Sequence, residues 1–143
     1  MGDSTKMAPL NSNVFFYGLF MDRAVLQAKG VDAPQGELGV VRHWALRIGR
    51  RATLVPERDR SVHGVFMSLS LPDLDRLYAD ASVQAYRPIA VLVETAHGLA
   101  IPAVTYVLPE EPAPDERNPE YAAKLRALAE RLALPTDYTN SIV

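Results

Sequence analysis

A chain of 143 residues, 48% of them hydrophobic and with a formal net charge of −2, is the size of one ordinary domain with enough apolar material for a core. That near-neutral balance argues against a nucleic-acid partner, which needs a basic excess, and apolar runs such as Ile89–Val93 are far too short to span a membrane. The absence of cysteine excludes disulfides, a thiol nucleophile and cysteine-ligated zinc, while His43, His63 and His97 are too scattered to suggest a metal site.

Residues 1–12 contain no apolar signal-peptide segment and read as a disordered leader, followed by a single domain over 13–143. The expected location is cytoplasmic. Asn13 to Tyr17 is a short aromatic and β-branched run, read as a strand that stops at Gly18. A helix is expected from about Met21 to Lys29, with Asp22 near its start and Gly30 as its stop. Two strands, about Gly39–Ile48 and Ala52–Val55, flank a turn at Gly49-Arg50-Arg51. The run Pro56–Ser61, charged from Glu57 to Arg60, predicts a solvated loop. Val62–Leu69 is another strand, and Gly64 within it signals a bulge or a close backbone approach.

Ser70-Leu71-Pro72-Asp73 has the spacing of a capping box, and Leu71, Leu74 and Leu77 follow on one helical face. After an irregular stretch to Ala85, a strand from Tyr86 to Thr95 turns at His97-Gly98 and returns as Ile101–Leu108. Pro109 to Arg117, acidic and proline-rich, reads as a linker or exposed loop. Asn118-Pro119 caps a helix with Tyr121, Leu125, Leu128 and Leu132 as its apolar stripe; Leu134-Pro135 ends it and Asp137-Tyr138 opens a final turn. The predicted class is α+β, a mostly antiparallel sheet curled into a small barrel with flanking helices.

In this order the pieces resemble the γ-glutamylcyclotransferase (AIG2-like) family. Val14-Phe15-Phe16-Tyr17-Gly18-Leu19-Phe20 resembles the family's opening glycine loop, and Val62-His63-Gly64-Val65-Phe66 its central strand. Asp73-Leu74-Asp75-Arg76-Leu77, Tyr86-Arg87, Asn118-Pro119-Glu120-Tyr121 and Leu134-Pro135-Thr136-Asp137-Tyr138 resemble later blocks. The resemblance implies intramolecular cleavage of a γ-glutamyl amide: the substrate's own α-amine attacks the γ-carbonyl and releases 5-oxoproline. Such a reaction needs a folded substrate, amides to hold an oxyanion and one general base, which the family takes from a glutamate. It implies no metal or organic cofactor, a small γ-glutamyl compound as partner, and a monomer or homodimer.

By that resemblance Tyr17, Gly18, Leu19, Phe20 and Tyr86 are the substrate-binding candidates. The glutamate's place falls on Ala81, followed by Ser82, and neither can act as the base. Asp80 is the only carboxylate between Leu77 and Tyr86 and is the catalytic candidate, as a displaced base; its other reading is a solvated loop acid. Leu19-Phe20 replaces a small polar residue with bulky apolar ones, which points to a more apolar ligand. Arg47, Arg50, Arg51, Arg58 and Arg60 could hold a substrate carboxylate or form a solvated face. Three functions remain open: a cyclotransferase with a relocated base, an inactive relative that binds a small ligand in the same cavity, or a scaffold subunit whose cavity is filled by Phe20 and Leu19. The sign of the last is the absence of a pocket of ligand size.

Overall fold

The computed structural model describes residues 10–143. Its first strand, β1 (Asn11–Phe16), ends in three successive buried residues, Val14, Phe15 and Phe16. Successive strand side chains point to opposite faces, so β1 is covered on both sides. The expected leader, 1–12, thus reaches two residues into the strand, and its remainder up to residue 9 lies outside the described residues. A 3-10 turn at Leu19–Met21 leads into helix α1 (Arg23–Ala28), whose first turn Asp22 caps by accepting from the Ala24 amide at 2.9 Å. Gly30 then takes φ +82°, a conformation that stops a helix and suits glycine.

Strand β2 (Glu37–Ile48) pairs antiparallel with β3 (Ala52–Ser70), a strand of 19 residues. The charged run expected as a loop lies inside β3. Pairing jumps from Arg42 with Ser61 to Trp44 with Pro56, so His43 alone faces Glu57 to Arg60. His43 adopts φ 72° and its Nδ1 sits 2.9 Å from the Arg58 carbonyl. A charged run needs water rather than a break in the chain, and this irregularity gives it exposure while β3 continues.

Helix α2 (Leu71–Tyr78) starts where expected: the Ser70 hydroxyl accepts from the Asp73 amide at 3.2 Å. Leu74 and Leu77 are buried, but Leu71, expected on the same stripe, is exposed in the first turn. Strands β4 (Arg87–Thr95) and β5 (Ala100–Val107) form the expected hairpin, with Gly98 at φ +79° in its turn. Helix α3 (Pro119–Arg131) buries Ala122, Leu125, Leu128 and Ala129, and a short α4 (Thr136–Asn140) closes the chain. No helix among the described residues is long and apolar enough to cross a membrane.

The sheet is a closed barrel in the order β1-β3-β2-β4-β5. All pairings are antiparallel except the seam, where β1 meets β5 in parallel at Val14 and Val104. Backbone pairing at the seam is short, and a side chain reinforces it: the buried Thr105 hydroxyl donates to the Phe15 carbonyl at 2.8 Å. Gly64 makes a close approach on the other side of β1. A Cβ there would lie 2.3 Å from the Phe16 carbonyl, which explains glycine in a strand interior.

Thr105→Val keeps the shape of the side chain and removes the seam's hydroxyl. A loss of about 1–2 kcal/mol is expected from denaturant unfolding, with faster hydrogen exchange along β1 and β5. An unchanged midpoint would show that the backbone pairing alone closes the barrel.

Candidate functional site

The directions of the strands decide where the site lies. β1 and β5 end, and β3 and β4 begin, at the same end of the barrel. A cavity of about 320 Å³ opens there, between the strand ends, the 3-10 turn and the C-terminal end of α2. Tyr17, Gly18, Leu19, Phe20 and Tyr86 are all in its wall, so the five substrate-binding candidates are brought together.

Five of the chain's six tyrosines line the cavity. The Tyr17 hydroxyl donates to the Tyr106 carbonyl at 2.6 Å, across the barrel seam. The Tyr86 hydroxyl donates to the Ala52 carbonyl. Tyr78 stacks on Tyr106 with ring centroids 3.8 Å apart, and Phe20 stands edge-on to both Phe16 and Tyr78. Gly18 is needed for space: a Cβ there would lie 2.7 Å from the Tyr121 hydroxyl.

Burial pushes the Tyr17 and Tyr78 phenols well above their ordinary value, and neighbouring tyrosines add to the effect. Burial likewise raises Tyr86 and lifts Tyr121 to about 12, the Leu19 amide opposing the latter. Tyr106 is raised too, by burial and then by Asp75. These hydroxyls are neutral at physiological pH and cannot serve as bases.

Asp80, the catalytic candidate, is absent from the cavity wall, whereas Ser82 and Val83 belong to it. One Asp80 oxygen accepts from the Ser82 amide at 2.9 Å and from the Ser82 hydroxyl at 2.7 Å; the other faces Lys29 Nζ at 3.3 Å. These contacts, the Ser82 amide first, lower its carboxyl to about 2. An aspartate two residues before a free amide readily closes such a turn. The side chain expected as a displaced base therefore stabilises its own loop and holds Lys29.

The charged side chains in the cavity wall are Lys29, Arg50 and Arg51, with no aspartate or glutamate among them. The five-arginine cluster is thus divided, because only the two in the β2–β3 turn reach the cavity. The acidic segment, expected as a linker or exposed loop, keeps that turn in place. Glu116 accepts from the Arg50 amide at 3.4 Å and from the Ala113 amide at 2.6 Å, and Gly49 leaves room for Pro112, which a Cβ would approach to 2.6 Å.

Asn118 joins the turn to α3. Its Oδ1 accepts from the Tyr121 amide at 3.1 Å as the helix cap, and its Nδ2 donates to the Arg50 carbonyl at 3.0 Å. Sequence reasoning found the cap but not the second bond, which links residues 68 apart. His63 packs against Tyr138 and is not in the cavity wall. Among the described residues no cluster of three His, Cys, Asp or Glu side chains could hold a metal ion.

A family model described as gamma-glutamyl cyclotransferase, AIG2-like, matches residues 14–124. The chain belongs to that family. Its fold is shared with a solved structure named gamma-glutamyl cyclotransferase at 21% identity and TM-score 0.76, covering 93% of this chain and 86% of that one. A protein from Homo sapiens, described as uncharacterized, is similar at 21% identity and TM-score 0.78, over 92% and 86% of the two chains. YkqA from Bacillus subtilis is 26% identical at TM-score 0.74, over 96% of this chain and 54% of that one. No significant match is found among curated proteins. Family membership thus rests on the family model, and the structural likenesses at 21% identity carry the fold.

Two measurements probe the site's construction. Asn118→Asp retains a helix-capping oxygen but loses the amide that binds Arg50. Hydrogen exchange is expected to quicken at Gly49–Arg51 while α3 stays protected; melting of the first turn of α3 would show that the cap had failed instead. The tyrosines also predict alkaline instability. Their folded pKa values lie above the unfolded value, so the folded state keeps protons that the unfolded chain releases from about pH 10 upward. Stability is expected to be complete below that pH and to fall steeply above it in thermal scans, with a shallower fall for Tyr121→Phe.

Proposed function

We propose that this chain keeps the family's small-molecule cavity but has lost its cyclotransfer step. The observation that carries this reading is a cavity wall without a carboxylate. Cyclisation of a γ-glutamyl amide needs the α-ammonium to lose a proton before its nitrogen attacks. A base for that must come within hydrogen-bonding reach, directly or through one water.

Counting along the resembling strand and helix puts the family glutamate's place at Ala81, and Ser82 beside it offers only a hydroxyl. The neighbouring tyrosines are held neutral by burial. Asp80 has both oxygens engaged, and a carboxyl lowered to about 2 is a poorer proton acceptor than a free one. What persists is a space of about 320 Å³ bounded by a glycine loop and aromatic rings, near the lower end of the sizes that hold small molecules. The function supported best is reversible binding of a small molecule.

The test incubates the folded protein with γ-glutamyl amino acids, γ-glutamyl amines and glutathione, following 5-oxoproline by mass spectrometry. Release is expected to stay at the spontaneous rate for every compound. Release above that rate which disappears in Asp80→Asn would restore the relocated-base enzyme and overturn this reading.

A further inference from the structure

The chemistry of the cavity wall limits what it can hold. The inner surface is built from ring faces and edges of Phe16, Phe20, Tyr78 and Tyr106. Of the five tyrosine hydroxyls there, those of Tyr17 and Tyr86 already donate to backbone carbonyls. The interior therefore offers a flat apolar body much contact.

The charge is of one sign. Lys29 is shared with Asp80, whereas the Arg50 and Arg51 guanidinium groups have no carboxylate partner among the described residues. The turn carrying both arginines is fixed through its backbone by Glu116 and Asn118, which leaves their side chains available. Arg51 lies close enough to Tyr86 to counteract part of the burial effect on that phenol. A zwitterionic ligand would bring an ammonium group into this cationic surrounding with no carboxylate to receive it. A simple acid would not.

Resting on the binding reading above, we propose that the ligand is an amphipathic acid: a flat apolar body seated among the rings and a carboxylate held by Arg50 and Arg51. Guanidinium and carboxylate match geometrically, and such charge-assisted bonds are about twice as strong as neutral ones. The apolar body supplies affinity by leaving water, and the arginines determine which end faces out.

Titration calorimetry on the full chain tests this with probes that change one feature at a time: phenylacetate, phenylacetamide, phenethylamine, acetate and a γ-glutamyl amine. Phenylacetate is expected to bind at least about tenfold more tightly than each of the others, a difference of about 1.4 kcal/mol. That preference should shrink in Arg51→Gln and in Arg50→Gln, whose unchanged thermal midpoints would show that folding is intact.

Equal binding of the amide, or preference for the amine, would overturn the proposed carboxylate contact. Acetate binding as well as phenylacetate would overturn the apolar seat and leave a surface ion site. A γ-glutamyl amine that binds more tightly than phenylacetate without forming 5-oxoproline would overturn this inference while leaving the binding reading intact. If it formed 5-oxoproline as well, both would fall.

Discussion

Closure of the barrel between β1 and β5 is the constraint on which the site depends. Antiparallel pairing forms the rest of the sheet: β1–β3 and β2–β4 join segments about fifty to sixty residues apart, and a single turn joins each of the hairpins β2–β3 and β4–β5. The seam has no such help. It brings together segments about ninety residues apart, at a loop-closure cost that grows only slowly with length. The Thr105 hydroxyl on the Phe15 carbonyl and the Tyr17 hydroxyl on the Tyr106 carbonyl reinforce its short parallel pairing. The second bond also forms part of the cavity wall, so one contact both closes the barrel and shapes its open end.

From that arrangement follows a cavity divided by chemistry. Strand ends, the 3-10 turn, α2 and α3 supply rings, and the β2–β3 turn and Lys29 just after α1 supply positive charge. The acidic segment before α3 contributes its carboxylate to the arginine turn's backbone rather than to the cavity. Asp80 is similarly occupied within its own loop. In both places a carboxylate serves structure, and the cavity is left aromatic and cationic. The cyclotransfer that the resemblance implies would need the opposite, a carboxylate free to accept a proton. The proposed loss of turnover and the proposed preference for an acid are thus two consequences of the same distribution of charge.

Most of the fold was legible in the chain because its signals act over a few residues. Ser70, Asp22 and Asn118 cap helices where their spacing predicts. Gly30 and Gly98 take the positive φ their positions suggest, and Gly64 marks a close approach. Leu71 shows the weakness of this reading, because helical spacing does not reveal that the first turn projects beyond the surface its neighbours pack against. The charged run in β3 shows another: polarity predicts exposure, and exposure is compatible with a strand.

By itself, the sequence determined the class of fold, the order of its elements, the family resemblance and the absence of a glutamate at Ala81 and Ser82. It also singled out Tyr17 to Phe20 and Tyr86, which meet at one cavity. Only the tertiary structure decided that Asp80 stays outside that cavity, that Arg50 and Arg51 reach it, and that five tyrosines surround it. The physical reason is range. Caps, turns and periodic faces arise from neighbours along the chain, whereas a cavity's chemistry comes from contacts such as Tyr86 with Ala52 or Asn118 with Arg50, 34 and 68 residues apart. Those pairings exist only once the chain has folded.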